Sequence, residues 1–88
     1  MSESLARTGV EVGDTVRYTD YALRRDRDYY LDRPQGIARE RAKVEYERKR
    51  ALRGEVVEVV LREYGCGVVV LWNNLTQSRC LAGMVQRA

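Results

Sequence analysis

The chain has 88 residues, 44% of them apolar and 33% charged, with a formal net charge of +3, six tyrosines, one tryptophan, no phenylalanine and no histidine. A chain of this length forms one domain that buries only about 60 to 65% of its unfolded surface, which leaves little room for an elaborate active-site cleft. Without histidine the commonest general base and the commonest neutral metal ligand are both missing.

The remaining chemistry points the same way. Cys66 and Cys80 have no second cysteine pair to complete a structural zinc site. Gly65 and Gly67 stand without the downstream lysine of a phosphate-binding loop. A non-catalytic protein without a cofactor or metal is expected. The opening "MSESLARTGV" has neither the basic start nor the apolar stretch of a secretory leader. No apolar run approaches the roughly 20 residues of a membrane span. A soluble protein of the reducing cytoplasm is expected, with its cysteines serving as small buried hydrophobes.

In chain order, residues 1–10 are small and polar and read as a flexible lead-in, with a single domain over 11–88. Gly13 and Asp14 mark a turn, and the alternation of Val16 and Tyr18 with Arg17 predicts a half-buried strand. From Asp20 to Gly36 no period emerges, and Pro34 biases Arg33 away from helix, so a loop is predicted. The run "IARERAKVEYERKRALR" is made of good helix formers and is followed by Gly54, which predicts one helix over about 36–53.

On a helical wheel Ile37, Val44, Ala51 and Leu52 form a narrow stripe beside a weaker one of Ala38, Ala42 and Tyr46. Pairs such as Arg41 with Glu45, Glu45 with Lys49 and Lys43 with Glu47 would supply only about 0.2 to 0.5 kcal/mol each. The helix is expected to project from the domain or to lie lightly on it. Then "EVVEVVLREYG" and "GVVVLW" predict two strands joined at "YGCG". "WNNL" predicts a turn with the asparagines in left-handed conformations, "TQSRCLA" a further strand, and "VQRA" a last short one.

The succession of "VGDTVRY", "RGEVVEVV", "GVVVLWNN" and "TQSRCLAGMVQ" resembles the small Src-homology-three-like barrels of the Tudor, KOW and chromo-like type. The resemblance covers residues 11–20 and 53–88. It implies a mainly β, α+β fold: a five-stranded barrel, here with one charged helix inserted in an expanded first loop at about 21–53. A short helical turn after the fourth strand belongs to the same pattern. It also implies a binding module for nucleic acid, modified peptides or protein segments, and the compact, arginine-rich style suits a bacterial or phage protein.

Between Tyr21 and Arg53 there are eleven basic and six acidic residues, a local balance of +5 that leaves the rest of the chain at −2. Such a segment favours an anionic partner. Arg24, Arg25 and Arg27 beside Tyr29 and Tyr30, together with Arg41, Arg48, Lys49 and Arg50, form the candidate nucleic-acid site, because arginine forks clamp phosphate and tyrosine faces stack on bases. The alternative is a solvated segment held by its own ion pairs, with basic residues in the last helical turn simply complementing the helix dipole. The six tyrosines also raise an aromatic cage for a cationic peptide.

Trp72 is either a core anchor or an exposed platform. Val57, Val59 and Leu61 fall on one strand face, and Val56 and Val60 on the other, which a small barrel would leave outside. The helix is expected to cover that face through Ile37, Val44 and Leu52, or else a partner does. Ile37, Val44, Val56, Val60 and Trp72 are thus the candidate protein contacts. Two readings stand: a nucleic-acid-binding barrel, and a small regulator that grips a larger cellular or host protein.

Overall fold

The computed structural model describes residues 2–88. It contains α1 (Glu3–Thr8), β1 (Thr15–Tyr18), α2 (Asp20–Asp32), α3 (Ile37–Ala51), β2 (Gly54–Val60), β3 (Gly67–Trp72), β4 (Gln77–Leu81), a 3₁₀ turn (Ala82–Met84) and β5 (Val85–Arg87). The five strands form one antiparallel sheet in the order β4-β3-β2-β1-β5, so the domain is mixed α+β. β4 and β5 are its edges. Among the described residues no helix is long and apolar enough to cross a membrane.

The core consists of Val10, Val16, Val56, Val68, Val70, Trp72 and Val85, with Tyr18, Leu52, Val59 and Cys80 packed against it. With valine as the main filler, one large ring has to close the middle. Trp72 does so: it is 2% exposed, its ring stacks on Tyr18 at 4.4 Å between centroids, and its Nε1–H donates to Ser78 Oγ at 2.7 Å. Gly54 makes room for it, since a Cβ there would lie 2.9 Å from Trp72 Cε3 and collide with Val70 Cγ1. The open reading of Trp72 therefore resolves to core anchor.

Four expectations are corrected. The lead-in is helical from Glu3 to Thr8: Ser2 Oγ accepts from the Leu5 N–H at 3.1 Å, Gly9 ends the helix at φ 78°, and Val10 is sealed in the core. The serine cap and the glycine stop are both written in "SESLARTG". The segment over 21–33 is a helix, so the insertion holds two helices instead of one. Thr19 caps α2 by accepting from Ala22 N–H at 3.0 Å, and Arg33 before Pro34 is extended and ends it.

The third correction concerns β2. Its register against β3 runs Val56↔Val70 and then Glu58↔Val69, so Val57 is an extra residue that flips the alternation. Val56 thereby faces the core at 0% exposure and Val59 follows it inward, while Val57 is 38% exposed and Val60 is half-buried. Fourth, in the turn after Trp72 it is Leu75 that takes positive φ, at 66°, and Asn74 Oδ1 instead accepts from the Thr76 N–H at 3.1 Å. Both cysteines are unpaired and half-buried, Cys80 against the core.

Asp14 ties the start of the sheet to its last strand. Its Oδ2 accepts from the Glu11 N–H at 2.8 Å and from Arg87 Nε at 2.8 Å. The Glu11 amide first, and Arg87 second, hold its carboxyl below the ordinary aspartate value. A depressed folded pKa means that this stabilisation is complete above the unfolded value of about 3.9 and is lost as pH falls through the lower folded value. Asp14→Asn is therefore expected to be less stable than wild type in urea unfolding at pH 7, with the difference shrinking below about pH 4. An unchanged difference at pH 3 would contradict this.

Candidate functional site

α2 and α3 pack side by side as an antiparallel hairpin inserted between β1 and β2, and the molecule measures 48 × 26 × 17 Å. Pro34 and Gly36, the latter at φ 141°, reverse the chain between the helices. Leu23 is the buried residue of α2, and α3 has none. The half-buried positions of α3, Arg39, Ala42, Tyr46 and Lys49, lie at helical spacing and define its inner face. Tyr30 meets Tyr46 at 5.3 Å between ring centroids, and Lys49 Nζ reaches Asp26 Oδ1 at 3.3 Å. The hairpin thus holds together through a few seam contacts of its own and roots itself where α3 meets β1 and α2 meets the 3₁₀ turn.

The charges divide along its length. Near the root, Arg48 pairs with Glu45, Lys49 with Asp26 and Arg50 with Glu47, and Arg27 pairs with its neighbour Asp28. These are i,i+3, adjacent or interhelical pairs, and none of the three i,i+4 pairs expected from the sequence forms. Arg48 holds the Glu45 carboxyl below its ordinary range, and Glu45 raises the Arg48 guanidinium in turn. Toward the tip, Arg33, Arg39, Arg41 and Lys43 have no ion-pair partner among the described residues, and only Asp32 and Glu40 accompany them there.

Tip cations line both flanks of the hairpin. One shallow groove carries Tyr29, Arg33 and Arg41 beside the paired acids Asp26 and Glu45, and another carries Tyr30, Arg39 and Lys43 with Glu40. The Arg33 guanidinium lies over the Tyr29 ring, 4.2 Å from its centroid. Arg33 Nη2 also donates to the Tyr29 hydroxyl, which leaves the remaining guanidinium N–H groups for an acceptor.

Of the sequence-predicted residues, Tyr29 and Arg41 reach the tip. Arg24 sits over the Tyr21 ring at 5.3 Å, and Arg24 and Arg25 are exposed on α2 with no ion pair among the described residues. Arg27, Arg48, Lys49 and Arg50 each face a carboxylate, Arg50 only at 4.0 Å, and Tyr30 both joins the seam and lines the groove of Arg39 and Lys43. The residues that sequence reasoning missed are Arg33, Arg39 and Lys43. The signal for them was the Pro34 to Gly36 reversal, which folds position 33 back toward positions 39 to 43 once α2 is recognised as a helix.

The candidate protein contacts separate as well. Ile37 and Val44 are 74% and 64% exposed on the face of α3 turned away from its half-buried side, whereas Val56 and Trp72 are sealed inside the sheet's core and present no contact surface. Of the three residues expected to cover Val56 and Val60, only Leu52 packs against the core: the Val57 bulge turns Val56 inward, and Val60 stays half-buried on the outer face. The aromatic side chains meet only in pairs, so no cage forms among the described residues. Burial raises the Tyr18 phenol above its ordinary pKa. Comparison of the chain with protein-family models, curated proteins and solved structures finds no match.

Proposed function

We propose that this is a non-catalytic binding module of the Src-homology-three-like type whose inserted helical hairpin grips nucleic acid with its tip. The five-stranded antiparallel sheet and the 3₁₀ turn between β4 and β5 support this reading. The observation that carries the functional reading is the division of charge. Four internal ion pairs absorb four of the six acids of the insertion and leave an excess of unpaired cations, four of them at the tip.

Mechanistically, Arg33, Arg39, Arg41 and Lys43 neutralise backbone phosphates from two sides, and the Tyr29–Arg33 stack offers a planar surface to an unpaired base. Nothing in this arrangement reads base edges, so sequence selectivity is low. Fluorescence anisotropy with short DNA and RNA tests the reading. For about four phosphate contacts, log affinity is expected to fall with log salt with a slope of about −3 to −4. Absence of binding at low salt would sink it.

A second reading rests on the exposure of Ile37 and Val44. An outward apolar pair on α3 suits a protein partner, such as a larger cellular or host protein, whose contact would persist after nuclease treatment and depend on these two side chains instead of the tip cations.

A further inference from the structure

The geometry points to the outer edge of β4 as the docking site for an extended acidic peptide, which joins the sheet there as an antiparallel strand. The hydrogen-bond phase of β4 shows why. Trp72 N–H donates to the Thr76 carbonyl at 2.8 Å, and Ala82 N–H donates to the Cys66 carbonyl at 2.8 Å. Between them the register pairs Val70 with Ser78 and Val68 with Cys80. The even-numbered residues of β4 therefore bond toward β3, and Gln77, Arg79 and Leu81 direct their N–H and C=O groups outward. No helix or strand other than β3 packs substantially on β4, and these three side chains are exposed.

An open edge of this kind is usually blunted by proline, a bulge, extreme shortness or a charged side chain. The opposite edge, β5, has only three residues. β4 has five, contains neither a proline nor a bulge, and carries one charge, Arg79, which disfavours a like-charged strand and favours an acidic one.

The chemistry beside this edge selects the occupant. A groove of about 240 Å³ is lined by Val60, Val69, Leu81, Arg62 and Arg79. Neither arginine has an ion-pair partner among the described residues. Glu58 shares the outer face with Arg79 but stands beyond Val69 in the row Glu58, Val69, Arg79. An added strand directs alternate side chains over this face. The fitting segment has one apolar residue over the groove and carboxylates two residues to either side, for Arg79 and Arg62. A second copy of this chain fits poorly: pairing β4 with itself about its centre sets Arg79 against Arg79, and directly opposed like charges destabilise.

The test uses a labelled heptapeptide, Thr-Glu-Thr-Val-Thr-Glu-Thr, added to the full chain and followed by amide NMR and anisotropy. Binding is expected to shift the Gln77, Arg79 and Leu81 amides and to slow their hydrogen exchange. The Lys-for-Glu peptide is expected to bind at least tenfold more weakly. N-methylation at the valine, whose N–H faces the edge in the proposed register, is expected to abolish binding, whereas N-methylation at a central threonine leaves it within threefold.

A variant complements the peptides. Leu81 has φ −66° and its N–H points outward, so Leu81→Pro fits the fold and removes one edge donor, with an expected loss of tenfold or more. If that variant fails to fold, the two N-methylated peptides on the unaltered chain still decide. Equal binding of both reduces the effect to charge attraction and overturns the proposal. Unmoved edge amides at millimolar peptide overturn it too, as does protection of the same amides by self-association of the free protein.

Discussion

Trp72→Ala is expected to remove about 3 to 5 kcal/mol of stability, the largest effect of any single truncation in this chain. A domain of this size has a total stability of about 5 to 15 kcal/mol, so the variant stands near the folding threshold. Three losses coincide at this position. The ring is 2% exposed in a core otherwise built from valines, its stack on Tyr18 disappears, and Ser78 loses its donor. The void is lined mainly by valines, which are too small to refill it, and Tyr18 loses the ring it stacks on. Trp72→Phe keeps most of the volume and is expected to cost only about 1 to 2 kcal/mol, chiefly through the missing hydrogen bond. Urea unfolding measures both. An independent readout is the phenol of Tyr18, raised by burial in the native protein. Its ultraviolet titration should return toward the ordinary tyrosine range in whatever folded population Trp72→Ala retains. A loss below 1 kcal/mol for the alanine variant would mean that the core closes without this ring.

Simultaneous replacement of Arg33, Arg39, Arg41 and Lys43 by glutamine is expected to weaken nucleic-acid binding by roughly a thousandfold at about 0.1 M salt and to reduce the salt slope by about 3 to 4. Glutamine is a good helix former, so the helices should keep their content in circular dichroism. The informative control is Arg48→Gln with Arg50→Gln. These cations each face a carboxylate, and their removal should change affinity clearly less than removal of the tip cations. The opposite ranking, with the root pair dominant, would place the interface elsewhere on the arm. Since the tip variant keeps Ile37 and Val44, retention of a protein partner by that variant would favour the second reading.

The strands were legible because runs of β-branched residues end at glycines, and α3 was legible because its helix formers are uninterrupted until Gly54. Five antiparallel strands and a charged helical insertion are what the structure contains. α2 was hidden by its own seam. Asp26 occupies an inner position, where it is stabilised by Lys49 from the other helix, and a charged residue among the inward positions erases the period that marks an amphipathic helix. The bulge at Val57 was hidden for the opposite reason. In a run of valines every register looks equally apolar, and only pairing with β3 selects which valine is extra.

The candidate site was half legible for a related reason. Composition located the basic segment, but the division between paired and unpaired cations depends on which residues a turn brings together. Arg48 and Arg50 find acids three positions earlier on their own helix. Lys49 finds Asp26 only across the reversal. Arg33 and Arg39 become neighbours in function only when Pro34 to Gly36 folds the chain back.

The hairpin departs from β1 after Thr19 and rejoins β2 at Gly54, and Val16 and Gly54 face one another on the same ladder. Its two feet therefore stand side by side, and among the described residues its substantial contacts beyond the root are its own. Inserting or deleting one turn in each helix would alter its reach by about 5.4 Å while every rung of the sheet stays in place. The span of the arm is in this sense a freely adjustable dimension that the platform beneath it does not fix.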